Sequence, residues 1–324
     1  MPLSLKMRAV LMMARLTGGK PLNELPVPEA RQATTMQITK SRTSVPLASV
    51  ANHTIPGPAG DIPVRIYTPE GVGPFPLLVY FHGGGFVVGS IDGSHEICRT
   101  LCWGAGCIVV SIGYRLAPEH KFPAAPDDCL AATRWAADHA AEFGADPTRL
   151  VVAGDSAGGN LAAVTALRLR DEGGPPLCGQ LLIYPVTGYH TPPTPSYLAN
   201  ANGYLLTRDM MVWFWDHYLN HAGEAGDPHA APLAAPDLRG LPPALVITAE
   251  FDPLHDEGER YAERLQAAGV PTVLSRYDGM IHGFLLFADL FDESRRALVE
   301  ATGWVRQVTI GENTPTRDPA GSLV

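Results

Sequence analysis

Leu150-Val151-Val152-Ala153-Gly154-Asp155-Ser156-Ala157-Gly158-Gly159-Asn160 is an apolar run, a serine between glycines, and the start of a helix-forming stretch. The centre fits G-x-S-x-G. Chance alone makes that pentapeptide common, but its setting does not. The strand-like run Leu150–Ala153 ends directly before it, and a helical pattern over Ala157–Glu172 begins within it. A strand, a sharp turn and a helix are what a nucleophile elbow requires. The serine backbone is forced into a strained conformation there, and the glycines two before and two after it relieve the crowding. No other serine in the chain satisfies the pattern.

Working outward, short apolar runs recur on both sides: Leu77–Phe81, Cys107–Ile112, Gln180–Tyr184 and Ala244–Thr248. Such continuous runs suit strands covered on both faces of a parallel sheet. Ile62–Tyr67 alternates instead, as a half-buried strand does. Ser49–Ile55 and Thr272–Tyr277 are weaker candidates and bring the count to about eight. Helical stretches lie between them at about His95–Gly104, Pro126–Ala141, Asp256–Ala268 and Glu293–Gln307. Gly269 stands where a helix C-terminal glycine belongs. Strands alternating with helices predict an α/β fold with a mostly parallel sheet of about eight strands flanked by helices.

Two segments break this rhythm. Residues 1–45 are helical and then loop-like, with Leu3, Met7, Val10, Leu11 and Ala14 at helical spacing. Residues 186–240 hold a proline-rich loop (Pro192, Pro193, Pro195) and then a helix over Thr207–His221. That helix carries Trp213, Phe214, Trp215 and Tyr218 and is apolar nearly all the way round, so more than one face must be covered. An insertion lying over the main domain, with a ligand on its other side, would make these four substrate-binding residues; an ordinary core helix is the alternative reading.

Composition excludes several classes. The 324 residues are 46% hydrophobic and 18% charged, which supports a large core and rules out wholesale disorder. A net charge of −9, with no basic run, argues against nucleic acid. No apolar stretch reaches the ~18 residues of a membrane span. The N-terminus, with Arg15 interrupting its apolar patch, makes a poor signal peptide. Five cysteines, odd in number and sparse, read as reduced thiols in a cytoplasmic protein. Cys98, Cys102 and Cys107 lack zinc-site spacing, and the chemistry below calls for neither metal nor cofactor.

A serine hydroxyl needs a base and an orienting acid. In α/β-hydrolases these follow the nucleophile in chain order, acid before histidine, after later strands. Asp252 stands four residues past Ala244–Thr248, with Glu250 as the rival acid. His282 follows Thr272–Tyr277 and precedes Gly283. Among eleven histidines it alone combines order, strand-end placement and a flexible neighbour. His255 is too close to Asp252. His82-Gly83-Gly84-Gly85-Phe86, directly after Leu77–Phe81, offers backbone N–H groups for an oxyanion hole, completed by the N–H of Ala157.

These motifs form a series with Tyr114-Arg115-Leu116-Ala117-Pro118-Glu119-His120, D-P-L-x-D-E-G at Asp252–Gly258 and I-H-G-F at Ile281–Phe284. From about residue 50 to 308 the chain closely resembles the hormone-sensitive-lipase-like bacterial carboxylesterases, in the branch reading G-D-S-A-G. The resemblance implies an eight-stranded α/β-hydrolase core over 46–185 and 241–310. It also implies a helical cap built from 1–45 and 186–240. Carried over position by position, it makes Ser156 the nucleophile, Asp252 the acid and His282 the base, with Gly83, Gly84 and Ala157 as oxyanion donors. The tail 311–324 has no counterpart and reads as disordered.

The expectation is a serine carboxylesterase acting on small-molecule esters of short to medium acyl chain, without stable membrane insertion; a homodimer is compatible with it. Amide cleavage by the same triad is a rival within enzymes. A ligand-binding pseudo-hydrolase is the rival outside them, and it would lack a triad member.

Overall fold

The computed structural model describes residue 3 and residues 5–16, 19–36 and 45–311. The apolar runs pair into one eight-stranded sheet of order β1-β2-β4-β3-β5-β6-β7-β8. The strands are β1 (Ser49–Gly57), β2 (Gly60–Thr68), β3 (Phe75–Phe81), β4 (Ile108–Ile112), β5 (Ala145–Asp155), β6 (Gly179–Ile183), β7 (Ala244–Phe251) and β8 (Thr272–Ile281). Only β1 and β2 run antiparallel to their neighbours; β3 to β8 are parallel.

The central strands are continuous apolar runs because both their faces are covered. Leu77, Val79 and Phe81 of β3 join one core, whereas Leu78 and Tyr80 join the other. The first core is closed by α4 (Ala124–Asp138), α5 (Ala157–Glu172) and α8 (His255–Ala267). The second is closed by α1 (Leu5–Leu16), α3 (His95–Ala105) and α9 (Asp292–Ile310).

The sheet order fixes where a site can form. From β3 the chain passes through α3 to β4 on one side, and from β4 through α4 to β5 on the other side of β3. The carboxyl ends of β3 and β5 therefore open onto a crevice between connections that leave for opposite faces, where open parallel sheets bind ligands. The His82–Phe86 loop follows β3, and Ser156 follows β5.

A long connection, residues 184–243, joins β6 to β7. It contains α6 (Pro195–Ala199) and α7 (Arg208–Tyr218). The proline-rich stretch is thus partly helical. Pro195 occupies the first helical turn, and Thr194 caps it by accepting from the Tyr197 N–H. Apolar residues stand on more than one face of α7, and the single turn Leu22–Glu24, upstream of α2 (Val27–Met36), packs against it. The expected disordered tail lies, from residue 312 onward, outside the described residues. Among those residues no helix is long and apolar enough to cross a membrane.

Candidate active site

Ser156 sits between β5 and α5 with φ 57° and ψ −118°, one of three non-glycine residues at positive φ among the described residues. Neighbouring backbone explains the two elbow glycines. A Cβ on Gly158 would lie 1.9 Å from the Phe81 carbonyl oxygen, and one on Gly154 would lie 2.2 Å from the Gly158 oxygen. The strained turn is held by the sheet itself: Ser156 N–H donates to Ile183 O at 2.8 Å, and Val186 N–H donates to Ser156 O at 3.1 Å.

His282 follows β8, which runs on to Ile281 and so delivers the imidazole to the same crevice. Its Nε2 lies 3.0 Å from Ser156 Oγ, and its Nδ1 lies 2.7 Å from Asp252 Oδ2. Asp252 is 1% exposed and its Oδ1 accepts the Leu254 N–H at 2.9 Å. The rival acid Glu250 instead accepts the Gly279 N–H. His255 pairs with Glu259, at 2.8 Å.

The glycine loop requires one correction. Gly83 N–H points at Asp155 Oδ1, 2.9 Å away, so this amide is already engaged and leaves the predicted oxyanion set. Gly84 N–H and Gly85 N–H, by contrast, have no acceptor among the described residues, and neither has Ala157 N–H at the first position of α5. The loop curls tightly enough to expose them because Gly84 adopts φ 124°, where a Cβ would fall 2.1 Å from Val88 O. The positive end of the α5 dipole reinforces the same spot.

Asp155, the variable position of the pentapeptide, was not predicted to matter. Its Oδ1 also accepts from Tyr80 Oη at 2.8 Å. Burial pushes its carboxyl above the usual range, against the lowering effect of these donors and of His282. An acid at the end of a strand buried on both faces was the available signal. His82 is a second unpredicted member. Burial lowers it to about 4, so it is neutral, and it stacks on Tyr114, which donates to His82 O at 2.7 Å. Tyr184, the third unpredicted residue and another at positive φ (32°), lays its ring against His282 with centroids 4.7 Å apart. Backbone strain thus gathers around one point.

The four aromatic residues of α7 divide. Phe214 lies over the glycine loop, its ring 2.3 Å from where a Gly85 Cβ would be. Trp213 is partly buried beside Phe214 and His217. Tyr218 is fully buried and stacked on Phe86 at 3.8 Å, with Trp215 packed against both. Those two are core residues that seat α7 on the loop. Arg31 of α2 ties the same region down, donating to Val87 O and Ala117 O.

Four of the five cysteines are buried; burial pushes the Cys98 and Cys107 thiols up to about 12. Among the described residues no cluster of three or more His, Cys, Asp or Glu side chains is placed to hold a metal.

A family model described as an alpha/beta hydrolase fold matches residues 78–286. The carboxylic ester hydrolase LipN of Mycobacterium tuberculosis is 49% identical over 242 residues, 73% of this chain and 64% of LipN. Carboxylesterase NlhH of the same organism is 47% identical, over 75% of this chain and 76% of NlhH. Among solved structures, the hyperthermophilic esterase of the archaeon Pyrobaculum calidifontis aligns with a TM-score of 0.90 at 42% identity. That alignment covers 95% of this chain and 99% of the esterase.

Proposed function

We propose that this chain, which belongs to the alpha/beta hydrolase family and is a carboxylic ester hydrolase, cleaves short- to medium-chain esters through an acyl-enzyme on Ser156. The supporting observation is the continuous path from Ser156 Oγ through His282 to Asp252, with contacts of 3.0 and 2.7 Å, at the crest of a strained elbow.

In this reading His282 Nε2 takes the Ser156 proton as Oγ attacks the ester carbonyl. Asp252 orients the imidazole and stabilises its charged form. The amides of Gly84, Gly85 and Ala157 receive the developing oxyanion, each donor worth about 3 kcal/mol in a pre-formed, water-poor site. His282 then protonates the leaving alcohol. Water, activated by the same imidazole, attacks the acyl-enzyme, and collapse of the second tetrahedral intermediate releases the acid and frees Ser156.

The insertion and the N-terminal helices act as a cap. Phe214 stands over the loop that supplies two oxyanion donors and forms a wall for the acyl chain. A closed wall favours acyl groups that fill the space below it, at about 0.8 kcal/mol per buried methylene, until the chain meets the ring.

The test is covalent. An organophosphonate should label wild type stoichiometrically at Ser156, and Ser156→Ala should lose both labelling and ester turnover with its melting temperature unchanged. Full activity in Ser156→Ala would end the reading. Parallel assay of an ester and its matching anilide measures whether amides are cleaved as well.

A further inference from the structure

β7 ends at Phe251, and the triad acid stands on the turn that follows it. Much of what fixes this turn comes from the insertion, more than fifty residues upstream. Asn200 Nδ2 donates to the Asp252 carbonyl at 3.2 Å. Ser196 Oγ donates to the Pro253 carbonyl at 2.6 Å and accepts the Asp256 N–H at 3.2 Å. In return Ser196 N–H donates to Asp256 Oδ2 at 2.7 Å. Both Ser196 and Asn200 are buried, so these bonds are shielded from competing water.

We propose that Ser196 and Asn200 are positioning residues for Asp252: α6 of the cap clamps the acid's turn, and cap seating thereby sets the triad geometry. The proposal rests on the triad reading above. An aspartate side chain has two torsions. With Oδ1 held by the Leu254 N–H, the place where Oδ2 meets His282 follows the backbone of residues 252–254. That backbone is what Asn200 and Ser196 hold, from one five-residue helix. A helix this short is not stable alone, so the acid's turn and the cap support each other. A displacement of the carboxylate costs turnover, because a misplacement of about 1 Å relayed from outside the chemistry lowers rates by as much as about a hundredfold.

Ser196→Ala and Asn200→Leu test this in the full chain, with Ser196→Thr as the variant that keeps the hydroxyl. On a soluble short-chain ester, kcat should fall roughly tenfold in each of the first two, with KM within about twofold of wild type. The acid limb of kcat/KM should move to lower pH, since a less well placed Asp252 stabilises the imidazolium less. Ser196→Thr should restore both. A lower melting temperature with kcat and the pH profile unchanged would reduce the clamp to a structural brace and overturn the proposal. A raised KM at constant kcat would overturn it too, by making α6 a substrate contact. If Ser196→Ala does not fold, Asn200→Leu, which removes one hydrogen bond, still decides. Full activity in the Ser156→Ala control would instead bring down the triad reading, and the proposal with it.

Discussion

Glu257 is a fully buried carboxyl that the proposed chemistry does not use, and replacing it by glutamine should make the protein more resistant to alkali. Its Oε1 accepts the N–H groups of Thr187 at 2.8 Å and Gly188 at 3.2 Å, just past β6, while its backbone carbonyl accepts from Thr187 Oγ1. Oε2 is buried too, and the Tyr197 hydroxyl is the polar group placed to interact with this carboxyl. Burial first, then the nearby charge of Asp252, push Glu257 up from 4.5 to about 8, although the two N–H donors oppose the rise. Because the folded value lies above the unfolded one, the stabilisation it reflects is complete below about pH 4.5. It drains away as pH rises, until about pH 8. At about 1.4 kcal/mol per pH unit, the gap between 4.5 and about 8 corresponds to a loss of about 5 kcal/mol. Glutamine keeps the acceptor for Thr187 and Gly188 and cannot ionise. Melting curves of wild type and Glu257→Gln from pH 5 to 9 should therefore diverge. About 4 kcal/mol of that loss falls above pH 5, so the variant should gain on wild type by roughly 8 °C across the range, at about 2 °C per kcal/mol for a chain of this size. Two curves that run parallel would refute the reasoning, because no proton would then be linked to Glu257.

Two further outcomes follow from the site. His282→Ala should lower kcat at least about 10⁴-fold, whereas His255→Ala, which loses contacts with Glu259, Arg276 and Asp256 away from Ser156, should stay near wild type; the reverse order in steady-state assays would mean a different base. Over a panel of p-nitrophenyl esters, kcat/KM should peak at roughly four to eight acyl carbons and then fall, and Phe214→Ala should move the peak to longer chains. A profile still climbing at long chains in wild type, with activation at an oil–water interface, would contradict the closed wall.

The centre of the sheet was legible because its strands from β3 to β7 are mostly buried on both faces, so composition marks them, whereas β2 showed by its alternation. All eight strands fall where the apolar runs stand, including the weaker Ser49–Ile55 and Thr272–Tyr277. The placement of Ser156, Asp252 and His282 was equally readable, since each stands just past a strand. What failed were choices set by distant contacts. Three consecutive glycines look alike in sequence, and only Asp155, 72 residues from Gly83, decides which amides remain free. The four aromatic residues of α7 look alike too, until Phe86 takes Tyr218 and Trp215 into the core. The helix at Pro195 was hidden by neighbouring prolines, although Thr194-Pro195 is itself a helix-start signal. Ser196 and Asn200 carried no local mark at all, because the groups they hold lie far along the chain.

The crowding at Gly154 and Gly158, where any added carbon would strike neighbouring backbone, also bears on how such a chain can change over generations. A side chain at either position would force the backbone to move, so the elbow tolerates little change and variation enters more readily elsewhere. On the cap, Phe214 and the partly exposed Trp213 meet no such barrier. Drift or a laboratory library would then alter which esters are accepted long before it alters how they are cleaved. A lineage built this way diversifies its diet while its chemistry stands still.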